Sequence, residues 1–243
     1  MKNNIEIISI IYKSTDYLDF IYHELKSGDC DVNGWNVKLR IVANDATDSV
    51  LEKLKNLDIP FSVYNDPKPD DFYLNRVYRC WNDCVESSQY DNVCLVNSDM
   101  AFSKDWLSNL LKHHDGINIP CSRLVESGKM PSGLHGISNN CGRNPNKFNS
   151  QEFERYAEEV SEDKTKRGGL FMPVVLNRKR FLESGKYPEG NIYHGGVGVS
   201  NTKFLKSGDA HFFYDVLEKK FGMEHITAFD SVVYHIQEGE MDE

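Results

Sequence analysis

Val93-Cys94-Leu95-Val96-Asn97-Ser98-Asp99-Met100 passes from four apolar residues to an amide and a carboxylate two positions apart. A strand buried on both faces of a parallel sheet is apolar throughout, without alternation. In an open α/β sheet, ligands sit beyond the carboxyl ends of such strands. An acidic residue at that rim needs a cation between itself and an anionic ligand. Hard divalent cations take oxygen ligands and join a carboxylate to substrate phosphates. The segment therefore predicts a rim where a metal–diphosphate is held.

The neighbouring sequence fits such a sheet. Residues 5–12 are short and β-branched, a buried strand. Ser14-Thr15-Asp16 opens a helix whose Tyr17, Leu18, Ile21, Tyr22 and Leu25 fall at helical spacing. Val37, Leu39, Ile41 and Ala43 alternate into a second strand, which ends in the polar turn Asn44-Asp45-Ala46-Thr47-Asp48. Val50, Leu51, Leu54 and Leu57 return to a helical period, and residues 60–64 form a third strand. Leu74, Val77, Tyr78, Trp81, Cys84 and Val85 make one apolar helical stripe ahead of Val93. Trp106, Leu107, Leu110 and Leu111 mark another helix, starting near Ser103. Four strand–helix repeats in residues 1–115 predict a single α/β domain, with a mostly parallel, Rossmann-like central sheet flanked by helices.

The second half is less regular. Residues 126–150 are rich in Gly, Ser, Asn and Pro and read as a long loop. A charged helix over 152–163, a strand over 170–176 and a short helix closed by Gly185 follow. Asp209 opens a helix carrying Phe212, Phe213, Val216, Leu217 and Phe221, and residues 231–236 form the last strand. No repeat or linker divides the chain.

The totals exclude several classes. The chain has 243 residues, enough for one large α/β domain. A net charge of −9 argues against nonspecific binding to nucleic acid or anionic membrane. No apolar run is long enough for a transmembrane segment, and Glu6 interrupts any signal-peptide reading of the start. The six cysteines (Cys30, Cys80, Cys84, Cys94, Cys121 and Cys141) show no zinc spacing and read as free thiols, which points to a reducing, cytoplasmic setting.

The order of these features resembles a GT-A glycosyltransferase, most like the family-2 enzymes. Tyr12-Lys13-Ser14 resembles the turn after the family's first strand. Residues 41–48 are similar to its Val-Asp-Asp-Gly-Ser-Thr-Asp motif, Arg79-Cys80-Trp81-Asn82 to its Arg-x-x-Asn segment, and Asn97-Ser98-Asp99 to its Asp-x-Asp. Residues 171–189 resemble the segment leading to the acceptor site, and Gly208-Asp209 resembles the Gly-Glu-Asp motif that holds the catalytic base. Three positions depart from the pattern. Ala43 replaces the first nucleotide-binding Asp, passing that role to Asn44 or Asp45; Asn97 replaces the first metal-motif Asp; and the motif at Asp209 is shortened.

The resemblance implies a nucleotide-sugar-binding half, 1–115, and an acceptor-binding half, 116–243. It places Tyr12, Asn44, Asp45, Arg79, Asn97, Ser98 and Asp99 on the donor, Asp209 as general base, and Asp99 with His235 on Mn²⁺ or Mg²⁺. Each residue also has a plainer use. Asp99 would cap the following turn and Asn97 would be a turn amide. Asp48 and Asp209 would be helix N-caps. Arg79 would make a surface salt bridge, and His235 would be structural; for the donor role of Arg79, Arg76 one turn earlier is a weaker alternative. His211 points elsewhere on its helix. Gly195-Gly196-Val197-Gly198 lacks both the P-loop and the dinucleotide pattern, and reads as a loop near the acceptor or as a simple turn.

The implied activity is transfer of a hexosyl or deoxyhexosyl group from a nucleoside-diphosphate sugar to a hydroxyl, with inversion. The acceptor is a carbohydrate, a lipid-linked glycan or a protein glycan. An inactive sugar-nucleotide or glycan-binding protein of the same fold is the main alternative, kept open by Asn97 and Ala43. A nucleotidyltransferase is a lesser one, because Tyr12-Lys13-Ser14-Thr15 lacks the glycine-rich loop that such enzymes carry.

Overall fold

The computed structural model describes residues 3–27, 32–68, 72–198 and 202–237; Cys30 lies outside them. The first half alternates as the apolar pattern predicts: β1 (Asn3–Ile11), α1 (Thr15–Ser27), β2 (Trp35–Asn44), α2 (Asp48–Lys55), β3 (Phe61–Tyr64), α3 (Tyr73–Ser87) and β4 (Asn92–Val96). These strands pair in parallel in the order β3-β2-β1-β4. A three-residue turn, Asn97–Asp99, then leads into β5 (Met100–Phe102) and α4 (Trp106–Leu111).

The second half completes the same sheet. It contains β6 (Asn118–Glu126), β7 (Ile137–Ser138), α5 (Ser150–Val160), β8 (Thr165–Arg167), β9 (Val174–Asn177) and α6 (Arg178–Glu183). A separate three-stranded sheet follows, formed by β10 (Ile192–Tyr193), β11 (Gly196–Val197) and β12 (Phe204–Lys206). Helix α7 (Gly208–Ala210) runs through a π-helical stretch, His211–Glu218, into α8 (Lys219–Phe221), and β13 (Glu224–His235) ends the main sheet. The sheet order β3-β2-β1-β4-β9-β6-β13-β5 crosses both halves of the chain, so one sheet unites them. Pairing is parallel except where β9 meets β4 and β6, and where β13 meets β5 and β8.

Two apolar cores sandwich the sheet. On β4, Cys94 and Val96 face a core built with α1, α2, α4 and α5. Val93 and Leu95 face a second core, built with α3, α6 and the 208–221 helix. This two-sided burial explains why β4 is apolar without alternation. Trp106 anchors the first core and Trp81 the second; truncating either to Ala costs about 3–5 kcal/mol.

Local differences from the sequence reading have simple causes. The strand expected over 170–176 begins at Val174, after a cis Met172–Pro173 bond. The last strand starts at Glu224 rather than Ser231 and runs the depth of the sheet. Strand β6 carries no clear pattern, because Pro120, Ser122 and Arg123 interrupt its apolar residues. Thr47, not Asp48, is the N-cap of α2, and Ser207, not Asp209, caps α7 by accepting from the Ala210 N–H. Of the Gly195–Gly198 segment, Gly195 lies with His194 in the turn of the β10–β11 hairpin, and Gly196–Val197 are strand β11 itself. The five cysteines in the described residues are free and buried, as expected.

Candidate functional site

The carboxyl rim of the sheet carries three polar clusters. The first is set by strand register. β13 lies between β6 and β5; its parallel pairing puts His235 opposite Glu126, and its antiparallel pairing puts it opposite Met100, next to Asp99. The His235 ring consequently bridges two carboxylates. Its Nε2 lies 3.2 Å from Asp99 Oδ2 and its Nδ1 3.2 Å from Glu126 Oε1. Asp99 and Glu126 are buried. Burial disfavours charge on the His235 ring, but the Asp99 and Glu126 carboxylates outweigh it and hold the pKa up to about 10.

This donor set fits a divalent cation. A carboxylate oxygen and an imidazole nitrogen are ligands that Mn²⁺ accepts, the latter once the ring has given up its Nε2 proton in competition with the incoming ion. Neighbouring ligands each held about 2.1 Å from one ion at a right angle stand about 3 Å apart, close to the Asp99–His235 spacing. A ligating histidine usually donates its second ring N–H to a carboxylate, the position Glu126 takes. Among the described residues, no three or more His, Cys, Asp or Glu side chains converge on one metal position. Remaining coordination positions would therefore fall to water or to oxygens of a ligand.

The second cluster lies at the ends of β1, β2 and β3. Asn44 is buried at the end of β2 with its Oδ1 lacking a hydrogen-bond partner. Asp45 adopts a left-handed backbone (φ 49°) and turns its carboxylate across the rim. Its Oδ1 accepts from the Asp66 N–H at 2.9 Å, and its Oδ2 lies 3.7 Å from Arg76 Nε. The Arg76 guanidinium sits 3.8 Å from the centroid of the Tyr12 ring, with Lys13 Nζ 4.6 Å from that same ring. Arg79, favoured over Arg76 by the sequence, turns instead to Asp66: its Nε lies 3.0 Å from Asp66 Oδ2, and its second nitrogen donates to the Asp66 carbonyl. It thereby braces the loop after β3. Asn82 locks the same helix to the second half through paired hydrogen bonds with the Tyr187 backbone, both 2.9 Å.

Asp209 forms the third cluster. Its N–H donates to the Tyr78 hydroxyl at 3.1 Å, and its Oδ1 accepts from the Ala210 N–H at 2.7 Å. Burial pushes its carboxyl pKa up, against the lowering effect of the Ser207 and Ala210 donors. A raised pKa makes the carboxylate a stronger base. The π-helical stretch begins two residues later, and such bulges recur at functional sites.

The structure thus brings Asp99 to His235, and Tyr12 to Asp45 by way of Arg76. Asn97 and Ser98 are half-buried in the turn that carries Asp99. Glu126 and Arg76 are the residues that sequence reasoning missed or ranked low. Only register over more than a hundred residues reveals the first; the second needs the ring of Tyr12 beside it.

Solved structures share this arrangement of strands. A mannosyltransferase, PcManGT from Pyrobaculum calidifontis, in complex with GDP-Man and Mn²⁺, superposes with a TM-score of 0.59 at 11% identity, over 97% of this chain and 57% of that one. The chain has the GT-A fold. GalNAc-T7 with UDP, GalNAc and Mn²⁺ gives a TM-score of 0.60 at 10% identity, over 96% of this chain and 44% of that one. TarS from S. aureus, residues 1–349, gives 0.54 at 13% identity, over 97% of this chain and 60% of that one. The chain therefore spans about half the length of these GT-A structures. By sequence, no family model and no curated protein matches it. Among the described residues, no helix is long and apolar enough to cross a membrane.

Proposed function

We propose that this chain is a glycosyltransferase that moves a hexosyl or deoxyhexosyl group from a nucleoside-diphosphate sugar to an acceptor hydroxyl, with inversion and with a divalent cation. The observation that carries the reading is the buried Glu126–His235–Asp99 row at the carboxyl rim. The GT-A fold supports it; one of the similar structures is named a mannosyltransferase, and two hold GDP-Man or UDP with Mn²⁺. Asp99 and His235 hold the cation, and Glu126 orients His235. When bound, that ion supplies positive charge against the departing diphosphate.

The other residues bind and move a proton. Asn44, Asp45 and Tyr12 receive the nucleoside, with Arg76 against the Tyr12 ring; Asn97 and Ser98 face the ribose or diphosphate, and Arg79 holds the wall of this pocket through Asp66. Asp209 accepts the proton of the acceptor hydroxyl. That oxygen bonds to the anomeric carbon as the bond to diphosphate breaks on the opposite face, so one base suffices. Side-by-side binding of the two substrates supplies orientation. The acceptor is a carbohydrate, a lipid-linked glycan or a protein glycan, and the reaction is cytoplasmic.

The test is a panel of nucleotide sugars, incubated with and without Mn²⁺ and scored for released nucleoside diphosphate. One donor should be hydrolysed or transferred only with metal, and Asp99→Asn should remove that release. Tight nucleotide binding without release from any donor would instead favour a binding protein of the same fold.

A further inference from the structure

The first turn of α3 leaves two large rings uncovered. Phe72 is 42% and Tyr73 52% exposed, and their centroids lie 4.8 Å apart, edge to face. Two adjacent exposed rings at the start of a helix that otherwise buries its apolar residues mark a surface able to take an apolar ligand face. The rest of α3 is cleanly partitioned, with Tyr78, Cys80, Trp81, Cys84 and Val85 turned into the core. The rings stand at a particular place. Tyr78, on the same helix, accepts from the Asp209 N–H. A Cβ on Gly208 would strike the Tyr78 ring, and a Cβ on Gly190 would strike the Asn75 amide, so Gly208, next to Asp209, packs on the second turn of α3 and Gly190 on the first. The Asp209 charge also raises the pKa of both Tyr73 and Tyr78, behind the larger effect of burial.

The geometry points to a pyranose-binding platform: Phe72 and Tyr73 stack against the apolar face of the acceptor sugar and present its hydroxyl edge to Asp209. This inference rests on the glycosyltransferase reading and names the acceptor's reacting end as a sugar ring. An aromatic face is electron-rich and its edge electron-poor. The axial C–H groups of a pyranose are weakly positive and fit such a face, while the ring's hydroxyls remain free for the Tyr73 phenol and the Asp209 carboxylate. An exposed aromatic pair suits a neutral, amphipathic ring of this kind.

Saturation-transfer NMR with methyl glycosides of glucose, galactose, mannose and N-acetylglucosamine tests this, with Mn²⁺ and nucleoside diphosphate present. At least one glycoside should receive saturation on its ring C–H protons. Tyr73→Ala should reduce that signal at least fivefold, and Tyr73→Trp should restore it. The nucleotide affinity of the Tyr73→Ala protein, measured by calorimetry, reports whether the fold and the donor pocket persist. Unchanged saturation in Tyr73→Ala, or no saturation from any glycoside in a parent protein that binds nucleotide, overturns the platform. A parent protein that binds no nucleoside diphosphate with Mn²⁺ and releases none from any nucleotide sugar overturns the glycosyltransferase reading instead.

Discussion

Strand β13 carries a histidine at each end, and the two are held in different charge states. At its amino end, the buried His225 stacks on Phe171 with rings 17° from parallel, and its Nε2 meets the Leu170 carbonyl. Burial pushes its pKa down to about 4, so it is neutral at pH 7. At the carboxyl end, His235 is half-buried and lies between Asp99 and Glu126, which hold it up to about 10. One strand thus spends one imidazole on packing and the other on charge. The difference shows what the carboxyl rim adds: there two buried carboxylates flank one imidazole, whereas at the other end of β13 the ring meets only aromatic faces and a carbonyl. A desolvated carboxylate needs a close positive partner, and two of them around one imidazole leave net negative charge for a cation to meet.

The largest effect should come from removing that charge. Asp99→Asn should lower Mn²⁺-dependent release of nucleoside diphosphate by about a thousandfold, since a metal supplies several kcal/mol to such a step. The same loss from a substitution at His225 would erase the contrast between the two ends. Asp209→Asn lies outside the charged row and should separate chemistry from binding. It should reduce transfer by about 10²–10⁴-fold and leave nucleotide affinity, read by calorimetry, within about twofold.

A pH titration of stability probes the other end of β13. His225 has a folded pKa of about 4 against an unfolded value of about 6.5. Between those values the unfolded chain binds more protons. Its contribution is therefore complete above pH 6.5 and is lost as pH falls towards 4, about 3 kcal/mol in all. Glu24, whose burial pushes its pKa up to about 7, contributes with the opposite sign over the same range, so the His225 share is read as a difference between two proteins. Urea midpoints measured from pH 7 to pH 4 should fall further, or rise less, in the parent than in His225→Phe, and identical pH slopes in the two would contradict the assigned charge state.

Two smaller effects sharpen the picture. Glu126→Gln keeps the hydrogen bond to His235 but removes its charge, and should weaken Mn²⁺ binding by about 10–100-fold. Arg76→Ala, at the opposite end of the rim, should raise the donor KM by about fivefold with kcat little changed, the scale of one cation–π contact. If Arg79→Ala did this and Arg76→Ala did not, the order inferred from their contacts would be inverted.

Much of this was legible in residue order. The β-branched stretch Ile5–Ile11 and the continuous apolar run Val93–Val96, with helical stripes between them, announced a two-sided parallel sheet, because burial on both faces suppresses alternation. Asp99 stood out because it follows such a run. Glu126 did not, because it ends a strand broken by Pro120 and Arg123 and meets His235 only through pairing with a strand 109 residues away. Arg76 and Arg79 are both charged residues on one helix, and nothing local shows that Asp66 takes the second and Tyr12 the first. The platform rings were invisible for another reason: Phe72 and Tyr73 precede the apolar stripe that begins at Leu74, and only their exposure singles them out.

Electron paramagnetic resonance of Mn²⁺ titrated into the protein with GDP or UDP bears most directly on the rim. The parent protein should show a bound-ion signal that strengthens with nucleotide, lost in Asp99→Asn and in His235→Ala. An undiminished signal in both variants would mean that the cation, if any, sits elsewhere, and the charge argument for this rim would fail.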